Sequence, residues 1–302
     1  MVAQATTGGT RPAIGAALAR RLVDDQFPRW SGLPLAPVEP GGSDHVIFRL
    51  GGELSVRLPR HEEAVGQAAK EYTWLPRLAP HLPLAVPVPV AVGEPGFGYP
   101  WPWAVSRWLD GDTATPDGIG ESAAAAETLA GFLTALQRFA PAGPEGAEAL
   151  RDPALTAEPL AALDGATRAA IAATGGVFDA AAMTAVWDAA LAAPARQSPP
   201  VWFHGDFHTG NLLTRGGRPS AVIDFGSLGL GDPARDLMMA FTLLSPRTRP
   251  VFRAALGADE AMWTRGRGWA LATGLNAYRH YAAVNPRVAA QTSRQIAAAI
   301  AG

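Results

Sequence analysis

Apolar positions along the chain change period several times. Ile14, Leu18 and Leu22 recur four apart after Pro12, which predicts a short amphipathic helix that opens with proline in its first turn and ends before Pro28. Val46, Phe48 and Leu50, then Leu54, Val56 and Leu58, alternate around Gly51-Gly52, the pattern of two strands joined by a tight turn. From His61 to about Leu75 the period lengthens: Val65, Ala68, Tyr72 and Leu75 share one helical face, with Glu71 beside it. The proline-rich stretch 82–112 stays apolar and predicts an edge strand, a loop, and a strand through Trp103, Val105 and Arg107. Beyond Asp112 the alternation fades. Leu129, Phe132, Leu133 and Leu136 form a helical stripe, and DAAAMTAVWDAAL repeats that period.

The expected fold class is therefore α+β: an N-terminal lobe over residues 1–110 with about five strands and one long helix, and a mainly helical C-terminal lobe over residues 111–302. The boundary is expected near Leu109 to Thr113, where DGDT ends the last strand. PAGPEGAEALRDPALTAEPL, rich in Pro and Gly, falls inside the helical part and reads as an insertion or a cap over a site.

Composition narrows the partners. Hydrophobic residues make up 48% of the 302 and charged residues 17%, ordinary for a globular protein, and a formal charge of −2 exerts no general pull on polyanions. A small-molecule partner is expected, without nucleic acid. The chain has no cysteine, which excludes disulfides, thiolate metal sites and cysteine nucleophiles. Arg20, Arg21, Asp24 and Asp25 stand where a signal peptide would be apolar, so the expected location is cytoplasmic. No apolar run approaches the roughly 18 residues needed to span a bilayer, so no membrane is expected. Alanine is abundant and Lys70 is the only lysine, a usage that reads as the codon bias of a GC-rich genome.

Chemistry concentrates in HGDFHTGNLL, from His204, and in AVIDFGSLGLGDPARDL, which follows it. Asn211 lies five residues after Asp206, and Asp224 closes an apolar strand-like run, the spacing of a phosphoryl-transfer catalytic loop. Two loop ends and a strand end would bring three oxygen-bearing side chains around one hydroxyl and one or two magnesium ions. A rival reading takes His204, Asp206 and His208 as ligands of a zinc or iron hydrolase. That reading requires a helix through Gly205 and Gly210, which is unfavourable, and leaves Asn211 and DFG unused. Asp232 before Pro233 reads as a helix N-cap, and Asp236 as a brace for the loop.

These motifs resemble the aminoglycoside phosphotransferase family of antibiotic kinases, relatives of choline kinase and of protein kinases. VRLPR, KEYTWLPRL, PVPVP, WAVSRWLDG and RGRGWAL extend the similarity, in order, over most of the chain. The resemblance implies a protein-kinase-like two-lobed fold, with Asp206 as the catalytic aspartate, Asn211 and Asp224 as Mg2+ ligands, and His204 as a structural histidine. It places His208 near the phosphates. It implies a phosphate-binding cation at Arg57, where the family's usual residue is lysine, paired with Glu71. Ser43, in the turn GGSDH, would lie by the phosphates, and Ser106 and Trp108 would hold the base of ATP or GTP. The implied acceptor is a hydroxyl of a small antibiotic of aminoglycoside, macrolide or nucleoside type, giving resistance or self-protection. Alternatives are a metabolic kinase of choline, homoserine or methylthioribose type, or a nucleotide-binding pseudokinase scaffold, which would be expected to have lost one of Asp206, Asn211 and Asp224. The protein is expected as a monomer or homodimer.

Overall fold

The computed structural model describes residues 13–39, 41, 44–140 and 144–302. It divides into two compact units, one made of Met1–Pro76 and Pro87–Leu109, the other of Arg77–Val86 and Asp110–Gly302.

The first unit opens with α1 (Ala16–Gln26), whose N-cap is Gly15. The helix therefore starts later than expected, with Ile14 preceding it; Pro12 lies outside the described residues. Five strands follow: β1 (Leu35–Pro37), β2 (His45–Leu50), β3 (Leu54–Pro59), β4 (Pro89–Gly93) and β5 (Trp103–Arg107). They form one antiparallel sheet in the order β1-β2-β3-β5-β4, so the proline-bearing β4 lies at an edge, where a missing N–H costs least. The expected hairpin is present, with Leu50 opposite Leu54 and Gly51 at a positive φ of 61° that the tight turn requires. Ala19, Leu22 and Val23 of α1 pack on Phe48, Val56, Leu58 and Trp103 to make this unit's core. The long helix α2 (Glu62–Leu78) carries Glu62 and Glu63 in its first turn, where the helix dipole favours them, and runs past its expected end with Pro76 inside.

In the second unit, residues 77–86, assigned to the N-terminal lobe in the sequence reading, bond to a strand of the helical part: Ala85 N–H donates to Ser220 O at 3.2 Å and Val222 N–H to Ala85 O at 2.9 Å. The strands here are β6 (Asp112–Thr113), β7 (Val201–Phe203), β8 (Leu212–Arg215), β9 (Arg218–Val222) and β10 (Gly229–Gly231). The helices are α3 (Pro116–Ile119), α4 (Ala123–Arg138), α5 (Pro144–Ala149), α6 (Asp164–Thr174), α7 (Ala180–Ala192), α8 (Met238–Thr242), α9 (Arg249–Leu256), α10 (Glu260–Tyr281) and α11 (Pro286–Ala301). Among the described residues no helix is long and apolar enough to cross a membrane.

The RGRGWAL motif is structural. A Cβ on Gly266 would lie 2.6 Å from Leu237, and one on Gly268 2.4 Å from the Ala190 Cβ, so α10 approaches its neighbours at glycine distance. Just before Gly266, Arg265 pairs with Asp232, and between the two glycines Arg267 donates to the Ala299 and Ile300 carbonyls at the end of α11.

Two measurements check this packing. Gly268→Ala is expected to destabilise the protein by about 1–3 kcal/mol through overpacking, whereas Gly131→Ala, in α4 with nothing near its added Cβ, is expected to stabilise it by about 0.5–1 kcal/mol in urea denaturation. His45 gives a pH signature. Burial, reinforced by the Arg57 charge, lowers its pKa from 6.5 to about 3. The unfolded chain thus binds this proton first, so stability is full above about pH 6.5 and falls as pH drops toward 3. Across that window His45 contributes a slope of about 1.4 kcal/mol per pH unit. Denaturation at stepped pH should show His45→Gln losing that part of the acid sensitivity.

Candidate active site

The segment from β7 to β10 builds the site in the second unit. β7 pairs antiparallel with β10, Phe203 opposite Gly229, and between them β8 and β9 form a hairpin closed by Gly216 and Gly217, both at positive φ as a two-residue turn demands. Leu212 pairs with Val222, and Ile223 N–H donates to Asn211 O at 2.9 Å. This register places Asn211 and Asp224 at the same end of the hairpin. Asp224 there adopts a left-handed backbone, φ 63° and ψ 69°, and its side chain is exposed.

Asp206 lies on the loop between β7 and β8. Asn211 Nδ2 donates to the Asp206 backbone O at 2.9 Å and to Asp206 Oδ2 at 3.1 Å, closing the loop on itself. His208 Nδ1 accepts the Gly210 N–H at 3.0 Å, which leaves Nε2 as the protonated nitrogen, 3.4 Å from Asp206 Oδ2. Both contacts fall on Oδ2, so Oδ1 is the oxygen left to face a substrate. Burial alone would raise the Asp206 pKa; the hydrogen bonds from His208 and Asn211 oppose it and hold the carboxyl well below the usual carboxylate range.

His204 is wholly buried and spent on its own loop. Its Nδ1 accepts the Asp206 N–H at 3.2 Å, its Nε2 donates to Ile223 O at 3.0 Å, and its ring packs against Phe225 and Phe207. It thereby ties the loop between β7 and β8 to DFG. Gly205 has φ 87°, and a Cβ there would meet Ser227 O at 2.3 Å, so only glycine fits before Asp206. Asp236, with no exposed surface, accepts the N–H of His204 at 2.7 Å and of Gly205 at 2.8 Å. Burial raises its pKa, opposed by those N–H donors and by His204 and Arg235. Arg235 completes the clamp, donating Nε–H to Gly205 O at 2.9 Å. The sequence reading missed Arg235; its position beside the brace at Asp236 was the available signal.

Asn211 turns its Nδ2 toward Asp206 and so presents Oδ1 on the other side, while Asp224 offers an exposed carboxylate at the same hairpin end. An amide oxygen and a carboxylate open to water are hard donors of the kind Mg2+ takes, and the pair fits that ion. The hydrolase reading does not survive. The loop 204–208 is not helical, both His204 nitrogens are engaged by the backbone, and among the described residues no three His, Asp or Glu side chains gather as a metal site.

In the first unit Arg57 of β3 and Glu71 of α2 form a buried ion pair through Arg57 Nη1 and Glu71 Oε2. Ser106 is buried in β5, where its backbone O accepts the Ser55 hydroxyl at 3.4 Å. Trp108 N–H donates to Glu53 O at 2.7 Å and Arg107 N–H to Val88 O at 3.0 Å. Those two donors are committed to the sheet, so the structure does not leave them for a base. Ser43 lies outside the described residues.

A search of curated protein sequences finds no relative of this chain. Among solved structures, the GDP and kanamycin complex of APH(2")-IIia superposes with a TM-score of 0.70 at 18% identity, over 94% of this chain and 98% of that one. The macrolide 2'-phosphotransferase MphH from Brachybacterium faecium, as apoenzyme, is 25% identical with a TM-score of 0.61, covering 94% of this chain and 97% of its own. The streptomycin-ATP-APH(2")-IIa ternary complex gives 0.60 at 14% identity over 96% and 99%. The likenesses below a quarter identity speak for the fold alone. Residues 34–269, a stretch that contains both the Arg57–Glu71 pair and the whole β7–β10 segment, match the model of the phosphotransferase enzyme family, and the chain belongs to that family.

Proposed function

We propose that the protein is a small-molecule kinase that transfers the γ-phosphoryl group of ATP or GTP to a hydroxyl of an antibiotic-like acceptor. The observation that carries this reading is the Asp206–Asn211 closure beside Asp224, a base and two oxygen donors held at one hairpin end. The neighbours with bound GDP or ATP and with kanamycin, streptomycin or macrolide specificity in their names support donor and acceptor class.

Asp206, kept ionised by His208 and Asn211, orients the acceptor hydroxyl through Oδ1. As the acceptor oxygen bonds to the γ-phosphorus, the bond from phosphorus to the bridging oxygen breaks. The hydroxyl proton passes to Asp206 and the nucleoside diphosphate leaves. Asn211 Oδ1 and the Asp224 carboxylate would hold Mg2+, which when bound neutralises charge on phosphate oxygens. The Arg57 guanidinium, oriented by Glu71, supplies parallel N–H donors to phosphate oxygens in place of a lysine ammonium.

Asp206→Asn is expected to lower transfer by about a thousandfold while leaving nucleotide affinity unchanged. The assay is a panel of aminoglycoside, macrolide and nucleoside acceptors with ATP and GTP, read by mass spectrometry; undiminished turnover sinks the assignment, and nucleotide binding without any transfer favours a scaffold. Arg57→Ala strands the buried Glu71 carboxylate and is expected to cost about 3–5 kcal/mol in denaturant unfolding. Replacing Arg57 and Glu71 together by Met and Leu should recover most of that stability but not the nucleotide affinity, measured by titration calorimetry.

A further inference from the structure

Asp236 and Arg235 hold the start of the loop between β7 and β8, at His204 and Gly205. The ring of His208, further along, is held differently. Of the groups within hydrogen-bonding reach of that ring among the described residues, Asp206, Gly210 and Asn211 belong to the loop itself. The remaining one is Gln291 of α11, whose Nε2 lies 3.4 Å from His208 Nδ1. Gly210 N–H already makes Nδ1 an acceptor, so the Gln291 amide can face it only with an N–H. At the opposite nitrogen Asn211 Nδ2, 3.4 Å away, is a donor as well, so Asp206 Oδ2 is left to take the Nε2 proton.

A well-anchored helix delivers this amide. Pro286 opens α11 and Asn285 caps it, its Oδ1 accepting the Val288 N–H at 3.2 Å. One turn beyond Gln291, on the same face, buried Gln295 donates to Ala270 O at 2.7 Å and to Thr273 Oγ1 at 2.9 Å, both in α10. A Cβ on Gly274 would stand 3.1 Å from Ile296, so the two helices meet at close range there. Arg267 holds the last carbonyls of α11. The register of α11 against α10 is therefore set at two points, and half-buried Gln291 reaches the loop from a fixed start.

We propose that Gln291 is a positioning residue for phosphoryl transfer: by holding Nδ1 it keeps the His208 ring turned so that Nε2–H stays on Asp206 Oδ2 and Oδ1 stays open to the acceptor hydroxyl. The inference rests on the reading of Asp206 as the residue that takes the hydroxyl proton. Without Gln291 the ring is bonded only within its own loop and moves with it. Gln291 acts through His208, so its loss changes the rate of the chemical step and not the affinity for the donor.

Gln291→Met, which keeps the length and helix preference but has no N–H, tests this with two readouts. In long-range proton–nitrogen NMR of the whole chain, the substitution is expected to move His208 Nδ1 toward the resonance of an unbonded ring nitrogen. In hydrolysis of Mg2+-ATP with water as acceptor, kcat is expected to fall about tenfold with KM for ATP unchanged. In a His208→Ala background the same substitution should change kcat by less than about twofold, since its route to Asp206 is gone. Should Gln291→Met fail to fold by thermal denaturation, Gln291→Glu, of the original shape without the N–H, takes its place. An unmoved Nδ1, a ring protonated at both nitrogens in the unaltered chain, a change in KM alone, or an undiminished loss of rate without His208 overturns the proposal. The NMR readout needs no turnover: if Asp206→Asn hydrolyses and transfers as well as the parent, the kinase reading fails, while Nδ1 still decides whether Gln291 holds the ring.

Discussion

One carboxylate without any exposed surface holds the loop between β7 and β8 in place. Asp236 takes the backbone N–H groups of His204 and Gly205, two donors that the turn at Gly205 would otherwise strand in the interior. A buried unpaired N–H costs roughly as much as the net worth of one or two ordinary hydrogen bonds, so the loop conformation depends on Asp236. Everything downstream inherits that geometry. His204 can reach Ile223 only because its backbone is pinned, and Asn211 meets Asp206 only because the loop between them is held to a single path.

The first unit solves a different electrostatic problem. Arg57 and Glu71 leave water together, and His45 beside them stays neutral, first because it is buried and then because the Arg57 charge stands nearby. Burying such a pair gives little net stability, yet removing either member leaves a charge with nowhere to go. The arrangement therefore favours keeping both over losing one. An arginine suits this role, since its charge does not titrate away and its planar head keeps one orientation against the carboxylate.

Much of this was legible before the fold was known, for reasons that differ by residue. The β2–β3 hairpin could be read because Val46 through Leu58 alternate strictly around two glycines, a local pattern with one good solution. Asp206, Asn211 and Asp224 could be singled out because their spacing is short and chemically unusual, and Asp236 because it closes the same motif. The start of α1 was misjudged: proline predicts where a helix can begin, but packing of Ala19, Leu22 and Val23 decides where it does. The place of residues 77–86 could not be read, since it depends on bonds from Ala85 to residues far along the chain. The hydrogen bond from Trp108 N–H to Glu53 O could not be read for the same reason. For Arg235 the one signal was its place beside Asp236 in GDPARDL, and its bond to Gly205 O appears only in the fold.

The glycines of α10 have a consequence for how this chain can drift. Glycine and alanine codons differ only at the second base, and alanine already fills these helices. At most helical positions that single exchange is harmless or beneficial, but at Gly266 and Gly268 the new methyl would collide with Leu237 and Ala190. The commonest conservative replacement available to the gene is thus the one this helix cannot accept, and purifying selection should fall hardest on two of its plainest residues.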